Sequence, residues 1–160
     1  TLEPRAAAPH RRLRTIRALA AQGVPVGVSV GPQIPFINDD MEQVLAAAYE
    51  AGARTAFYTV LRLPWEVAPL FRQWLELHYP QRAERVMARI QEMHAGKDKR
   101  GGKDYNADFA TRMKGSGLWA DLLRQRFHTT CAKLGLNRER VVLDLGQFRP
   151  GLLSGQESLF

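Results

Sequence analysis

The stretch VPVGVSVGPQIPFINDD, residues 24–40, decides the fold class that this sequence predicts. Every second position of its first half is a valine, and Pro, Gly and Ser stand between the valines. Successive side chains of a strand point to opposite faces, and β-branched residues favour extended backbone. We therefore predict a strand over residues 24–31. One face carries valines and the other is nearly bare, the two sets being Val24, Val26, Val28 and Val30, and Pro25, Gly27, Ser29 and Gly31.

The bare face of this predicted strand has two interpretations. Glycine in a strand lets another group approach the backbone closely, and that group is either a ligand or a packed neighbouring strand or helix. The face opens at the carboxyl end of the strand into the turn of residues 31–39. Ligands of parallel α/β sheets and barrels bind at that end of the strands. Because residues 59–64 end a second predicted strand in the same orientation, the two strand exits are expected to face a common site.

Helical and strand patterns alternate around this stretch. Apolar residues recur at helical spacing over residues 9–22, and Asn38 or Asp39 offers a side-chain cap for the next helix. Glu42 stands three residues after Asp39, where it completes a capping box. Residues 55–63 are apolar enough to form a second strand covered on both faces, as parallel strands usually are. This order, with short connections, predicts an α/β fold with parallel strands.

The remainder of the chain has mainly helical patterns. Helical spacing runs from residue 64 to residue 94 with a break at Pro80, and it returns over 119–134 before Gly135. The glycine-rich, charged residues 95–104 predict a surface loop. Weaker patterns predict a short helix over 107–113, either a strand or an extended strap over 140–145, and an aperiodic tail over 146–160.

Composition restricts the classes of function. Lys and Arg number 23 against 16 Asp and Glu, for a net charge of +7, which suits attraction to polyanions but equally suits solvated surface charge. The single Cys131 excludes an internal disulfide or multi-cysteine metal site in this chain and favours a reducing, cytoplasmic location. No run of about 18 apolar residues occurs, so neither a membrane span nor a signal peptide is expected. Because the sequence begins at Thr1, we expect further chain upstream.

Several familiar site patterns are missing from the sequence. The four histidines share no metal-ligand spacing and are expected at the surface or at its boundary: His10, His78, His94 and His128. The three tryptophans fall in amphipathic helical patterns and are expected to pack into the core: Trp65, Trp74 and Trp119. There is no nucleophile-elbow, Walker or dinucleotide-binding motif.

Four segments carry a resemblance to a known family. They are LEPRAA (2–7), PVGVSVGPQIPFIND (25–39), LRLPWEVAPLFRQWLELHYP (61–80) and GKDYNADFATRMKGSGLWADLLRQRF (102–127). They resemble the C-terminal half of a radical S-adenosylmethionine protein, in the bacterial group related to spore photoproduct lyase and described as DNA repair photolyase-like. The resemblance implies a partial (β/α)6 TIM-like barrel with parallel strands. Residues 1–63 would be its last βα units, 64–145 a helical C-terminal extension and 146–160 a tail.

The same resemblance implies a cofactor site shared with an upstream part of the protein. In the family, three cysteines spaced C-x-x-x-C-x-x-C at the first strand exit bind a 4Fe-4S cluster, whose open iron is chelated by the amino and carboxylate groups of S-adenosylmethionine. This chain lacks those cysteines, and Cys131 on a late helix cannot replace them. The chain is therefore expected to supply no catalytic residue or metal ligand and to be inactive in isolation. Its expected partner is the missing N-terminal half of the barrel, and the uncovered strands are expected to make the isolated piece self-associate.

What the chain would retain is the adenosine side of the cofactor site. By resemblance, the turn at Gly31, Pro32 and Ile34 is the fifth strand exit, where Ile34 would pack on adenine. Asn38 is either a helix cap or a ligand in that loop. At the sixth strand exit, the backbone at Leu61 and Arg62 would meet the adenine edge. The Arg62 guanidinium either binds a carboxylate or phosphate or forms a structural ion pair.

Arg5 completes the set of candidate cofactor-binding residues. It would follow the fourth strand, where the family commonly places a basic residue near the methionine carboxylate.

The alternative to an enzyme fragment is a nonenzymatic nucleic-acid-binding module that neutralises phosphates with HRRLRTIR (10–17) and GKDKRGGK (96–103). The two hypotheses are compatible, because relatives of spore photoproduct lyase suggest a nucleic-acid substrate.

Overall fold

The computed structural model describes residues 5–95, 104, 106–109, 111–139, 142 and 144–146. This part of the chain has a mixed α/β fold with five helices and one two-stranded parallel sheet. The elements are α1 (Pro9–Ala21), β1 (Gly27–Gln33), α2 (Met41–Ala51), β2 (Thr55–Val60), α3 (Val67–His78), α4 (Ala83–His94) and α5 (Leu118–Leu134). The predicted α/β class and the order helix, strand, helix, strand are confirmed.

The two strands form a βαβ unit with α2 as the crossover. Gly27 of β1 lies opposite Thr55 of β2, and Val30 lies opposite Tyr58. The register shifts between Val30 and Gln33, where the chain contains a cis Gly31–Pro32 peptide bond. Pro32 has no N–H group to donate to a ladder, so this position can leave the regular pairing without losing a backbone donor of its own.

The bounds of both strands, β1 and β2, differ from the predicted ones. β1 begins at Gly27 rather than at residue 24, because the Val24 N–H still donates to the Leu19 carbonyl at the end of α1 (3.1 Å). The Val24 side chain is accordingly 45% exposed. β2 ends at Val60 rather than at residue 63, before Pro64. The prediction that β2 is covered on both faces is wrong, because Phe57 is 58% exposed.

The core lies on one side of the sheet. Val30 and Tyr58 are buried there, and the Tyr58 ring packs against Phe127 of α5 with centroids 4.9 Å apart. The helices α2 and α5 bury small and apolar residues against the sheet: Met41, Leu45, Ala48 and Ala51, and Ala120, Leu123, Phe127 and Cys131. The α3–α4 hairpin extends this core through Leu75, Val86 and Ile90. Burial of this apolar surface is what stabilises the arrangement.

Other predicted local features also need correction. The described residues of 107–113 form turns rather than a short helix. The capping box does not form, because Asp39 and Glu42 both accept hydrogen bonds from Arg126 of α5, and the N-cap of α2 is Asp40. Most of the 95–104 loop, half of 140–145 and almost all of the tail lie outside the described residues. None of the helices in the described part combines the length and apolar content needed to cross a membrane.

Candidate functional site

The bare side of the β1–β2 sheet is open, but its glycines are explained by the neighbouring strand. Gly27 and Gly31 are exposed on this face, and the threonines of β2 lie over them. A Cβ atom at Gly27 would stand 2.6 Å from the Thr55 hydroxyl oxygen, and one at Gly31 would collide with the Thr59 hydroxyl. Close packing of a neighbouring strand therefore accounts for the two glycines. The remaining surface of the face is still open around Phe57.

The two outer edges of the sheet differ. The outer edge of β2 is closed by Asn137, whose side-chain oxygen accepts from the Ala56 N–H (2.8 Å) and whose amide nitrogen donates to the Ala56 carbonyl (2.9 Å). Farther along the same edge, the Val60 N–H donates to the Met113 carbonyl (2.9 Å). β1, in contrast, has β2 as its single strand neighbour within the described residues. One edge of the sheet is thus closed by its own chain, whereas the other has no strand beside it among the described residues.

Asn38 braces the turn at the exit of β1. Its side-chain oxygen accepts from the Ile34 N–H (2.6 Å), and its amide nitrogen donates to the Pro32 carbonyl (2.8 Å). The alternative of a helix cap is wrong, since α2 has Asp40 at its N-cap. Asn38 therefore positions the turn that precedes α2, and both ends of its amide are occupied in doing so.

The residues of the β1 exit are unequally accessible. Ile34 is 5% exposed and belongs to the core, so its side chain offers no open surface on which a planar ring could lie. Gly31 is exposed and Pro32 is half-buried. A small molecule at this exit would meet the Gly31 backbone and the Pro32 ring rather than the Ile34 side chain.

The β2 exit is held by contacts from later parts of the chain. The Leu61 N–H donates to the Gln33 carbonyl (3.1 Å), and the Leu61 carbonyl accepts from His94 Nε2 (2.7 Å). Arg62 is half-buried, and its Nη1 donates to the Met113 sulfur (3.2 Å). The parallel pairing of β1 and β2 brings both predicted exits to the same end of the sheet.

Arg5 does not join this group through any polar contact in the described part of the chain. It is exposed in the turn before α1, and no hydrogen bond or ion pair connects it to either strand exit.

Cys131 is buried on the inner face of α5, where burial raises the pKa of its thiol. It packs as a core residue.

His94 is a buried residue that the sequence interpretation placed at or near the surface. It is 1% exposed, and burial lowers its pKa below the ordinary value. Nε2 donates to Leu61, so the neutral ring carries its proton there, while Nδ1 has no hydrogen-bond partner in the described structure. His94 follows Val86 and Ile90 at intervals of four residues, and this helical spacing is the signal in the sequence that could have predicted its burial.

Trp65 also differs from its predicted place. It precedes α3 instead of lying within it, it is 83% exposed, and its φ is +44°. A bulky residue in this backbone region is uncommon and strained. Trp65 follows the β2 exit in sequence, whereas Trp74 and Trp119 are half-buried against the core as expected.

Charged contacts near the site are mainly structural. Asp104 accepts from Gln91 (2.9 Å) and from Arg72 (2.9 Å); burial alone would raise its pKa, but these hydrogen bonds lower it. The residues that the structure describes contain no group of three His, Cys, Asp or Glu suited to a metal ion.

Comparison of the chain with protein-family models, curated proteins and solved structures found no match.

Proposed function

We propose that this chain is the C-terminal part of a radical S-adenosylmethionine enzyme of the spore photoproduct lyase-related group. The observation that carries the proposal is the asymmetry of the sheet. Asn137 and Met113 close the outer edge of β2, while the outer edge of β1 has no strand beside it in the described part. In a partial barrel, β2 would be the last strand, and an upstream parallel strand would pair with β1.

The open face of the sheet supports the same arrangement. The side chains of a barrel interior come from alternate positions of each strand, and here these positions include Ser29, Thr59 and the exposed Phe57. An isolated face of this kind leaves apolar surface in water, which costs free energy that a completed barrel would recover. Residues 1–63 would then be the barrel portion, residues 64–145 the helical extension and residues 146–160 the tail.

The exits of β1 and β2 would supply the adenosine side of the cofactor site. The exposed backbone at Gly31 and the Pro32 ring fit one side of a planar base, and the second lone pair of the Leu61 carbonyl fits a base amino group. Arg62 and Arg5 supply positive charge for a carboxylate. The buried Ile34 side chain does not fit the adenine contact that the resemblance implies. When bound with an upstream 4Fe-4S cluster, S-adenosylmethionine would supply a radical by reductive cleavage.

The coding sequence upstream of Thr1 tests this proposal. We expect an open frame encoding three cysteines spaced C-x-x-x-C-x-x-C, preceded and followed by βα patterns. The longer protein, purified anaerobically, should show the absorption of an iron–sulfur cluster and should convert S-adenosylmethionine to 5′-deoxyadenosine with a reductant. An initiator codon directly before Thr1, or an upstream frame without these cysteines, would overturn the proposal.

A further inference from the structure

The exposed side of α1 carries a regular row of arginines. Arg11, Arg14 and Arg17 are spaced by three residues, so they fall on one side of the helix at about one per turn. At a rise of about 1.5 Å per residue, the row extends over about 9 Å. All three side chains are exposed, and none has a carboxylate partner within the described residues. Arginines elsewhere do have such partners, namely Arg72, Arg89, Arg124 and Arg126.

The charge pattern of α1 opposes the helix dipole. Its 13 residues include no acidic residue, and its first turn contains His10, Arg11 and Arg12. Cations are unfavourable at the positive N-terminal end of a helix and favourable at the C-terminal end, where α1 has none. Within the described residues no carboxylate compensates Arg11, Arg14 and Arg17, and a local rule broken in this way is expected where an outside ligand provides the compensation. For a row of unpaired guanidinium groups, that ligand is a polyanion.

The packing of α1 favours nucleic acid over a lipid surface. A helix that binds a membrane surface inserts an apolar face among the lipid chains. The apolar side of α1 is turned toward the protein instead, since Ala20 lies against Gly52 at the end of α2 and Leu13 and Ile16 are half-buried. Leu19, 41% exposed, is the one large apolar side chain of α1 that is exposed, so the outward surface of the helix is mainly charged. Guanidinium groups bind phosphate oxygens bidentately, which suits a phosphodiester backbone.

We propose that the Arg11, Arg14 and Arg17 side of α1 is a binding surface for the phosphate backbone of nucleic acid. The surface is on a helix of the α/β unit and not at the strand exits, so it goes beyond the proposed cofactor site and does not depend on it. Binding through phosphates is independent of base sequence and weakens as salt rises.

The test measures anisotropy of a labelled DNA duplex of about 20 base pairs at about 50 and 200 mM salt. The unmodified 160-residue chain is compared with the triple variant Arg11→Gln, Arg14→Gln, Arg17→Gln. The matched control is Lys114→Gln, Lys133→Gln, Arg138→Gln, which removes the same charge from other exposed positions that also have no carboxylate partner within the described residues. Loss of three phosphate contacts should lower the salt slope by about 2.7, which is an effect of about 40-fold over this salt range. The control should retain the original slope.

The triple variant Arg11→Lys, Arg14→Lys, Arg17→Lys (the lysine triple) separates the effect of charge on binding from an effect on folding. Because it keeps three cations, it should retain the salt slope and the circular dichroism spectrum of the unmodified chain. Equal loss in the glutamine triple and its control, loss of slope in the lysine triple, or no duplex binding at the lower salt would each overturn the proposal. Binding to phosphatidylserine vesicles but not to DNA would also overturn it. None of these results bears on the upstream cysteines, so this proposal and the enzyme proposal fail separately.

Discussion

Asn137 pairs with the backbone of Ala56 as a neighbouring strand residue would. The two residues are 81 positions apart, yet the Asn137 carboxamide both accepts from and donates to the Ala56 peptide groups. The Asn137 N–H also donates to the Arg54 carbonyl (2.9 Å). Its φ of +59° is in the left-handed region, which Asn tolerates better than most residues. Asn137 thus occupies the outer edge of β2 at Ala56.

Replacing Asn137 should destabilise the fold. Asn137→Gly keeps the left-handed backbone but leaves two Ala56 groups without this partner, so we expect a loss of about 1–3 kcal/mol in the free energy of unfolding. Asn137→Ala should cost about 1 kcal/mol more, because alanine is strained at this φ. Urea denaturation followed by circular dichroism measures both. A glycine variant as stable as the unmodified chain would show that water replaces the carboxamide at no cost.

The ion pairs of Arg126 with Asp39 and Glu42 should make the stability of the fold depend on pH in the acid range. The hydrogen bond from Arg126 lowers the pKa of Glu42 below its usual 4.5, so its contribution to stability is present above that value and is lost as pH falls through the folded-state pKa. Because the Glu42 side chain is 42% exposed, the effect should be modest, about 1 kcal/mol or less. Glu42→Gln should be less stable than the unmodified chain at neutral pH. The difference should vanish in urea titrations near pH 3, and an equal difference at both pH values would contradict this account.

His94 should produce a second pH dependence, at higher pH. Its folded-state pKa is lowered below 6.5, so the unfolded chain takes up a proton first as pH falls. Stability is therefore fully present above about 6.5 and declines below it, until the folded-state pKa is reached. His94→Gln should remove this decline, as measured by urea midpoints at several pH values. His128→Gln, at an exposed position, is the control and should leave the decline unchanged.

The open face of the sheet should drive self-association of the isolated chain. Phe57 of β2 is 58% exposed on the open face, and the outer edge of the neighbouring β1 has no strand partner in the described part; such surfaces favour contact with other chains. In sedimentation velocity, we expect the apparent mass to rise with concentration and Phe57→Lys to reduce the rise. Leu77→Lys, at an apolar position on α3 that is 76% exposed, is the control and should have little effect. A strictly monomeric unmodified chain at all concentrations would contradict the prediction.

The sequence was sufficient for elements with a clear period. The alternating valines located β1, and the helical spacing before Gly135 located α5, because both patterns are local. Features set by distant contacts could not be predicted. The capping box failed because Arg126, 84 positions away, binds Glu42. The common end of the two parallel strands followed from the sequence, whereas the burial of Ile34 and the contact of His94 with Leu61 depend on packing of later helices.

The exposure of Trp65 also makes it an optical reporter of what happens at the end of the last strand. Of the three indoles in the chain, it is the one in water, while Trp74 and Trp119 are partly covered. Its emission should be red-shifted and readily quenched by acrylamide. In the proposed arrangement, docking of an upstream half near this position would shield the indole, and a blue shift on mixing would report that docking without any added dye.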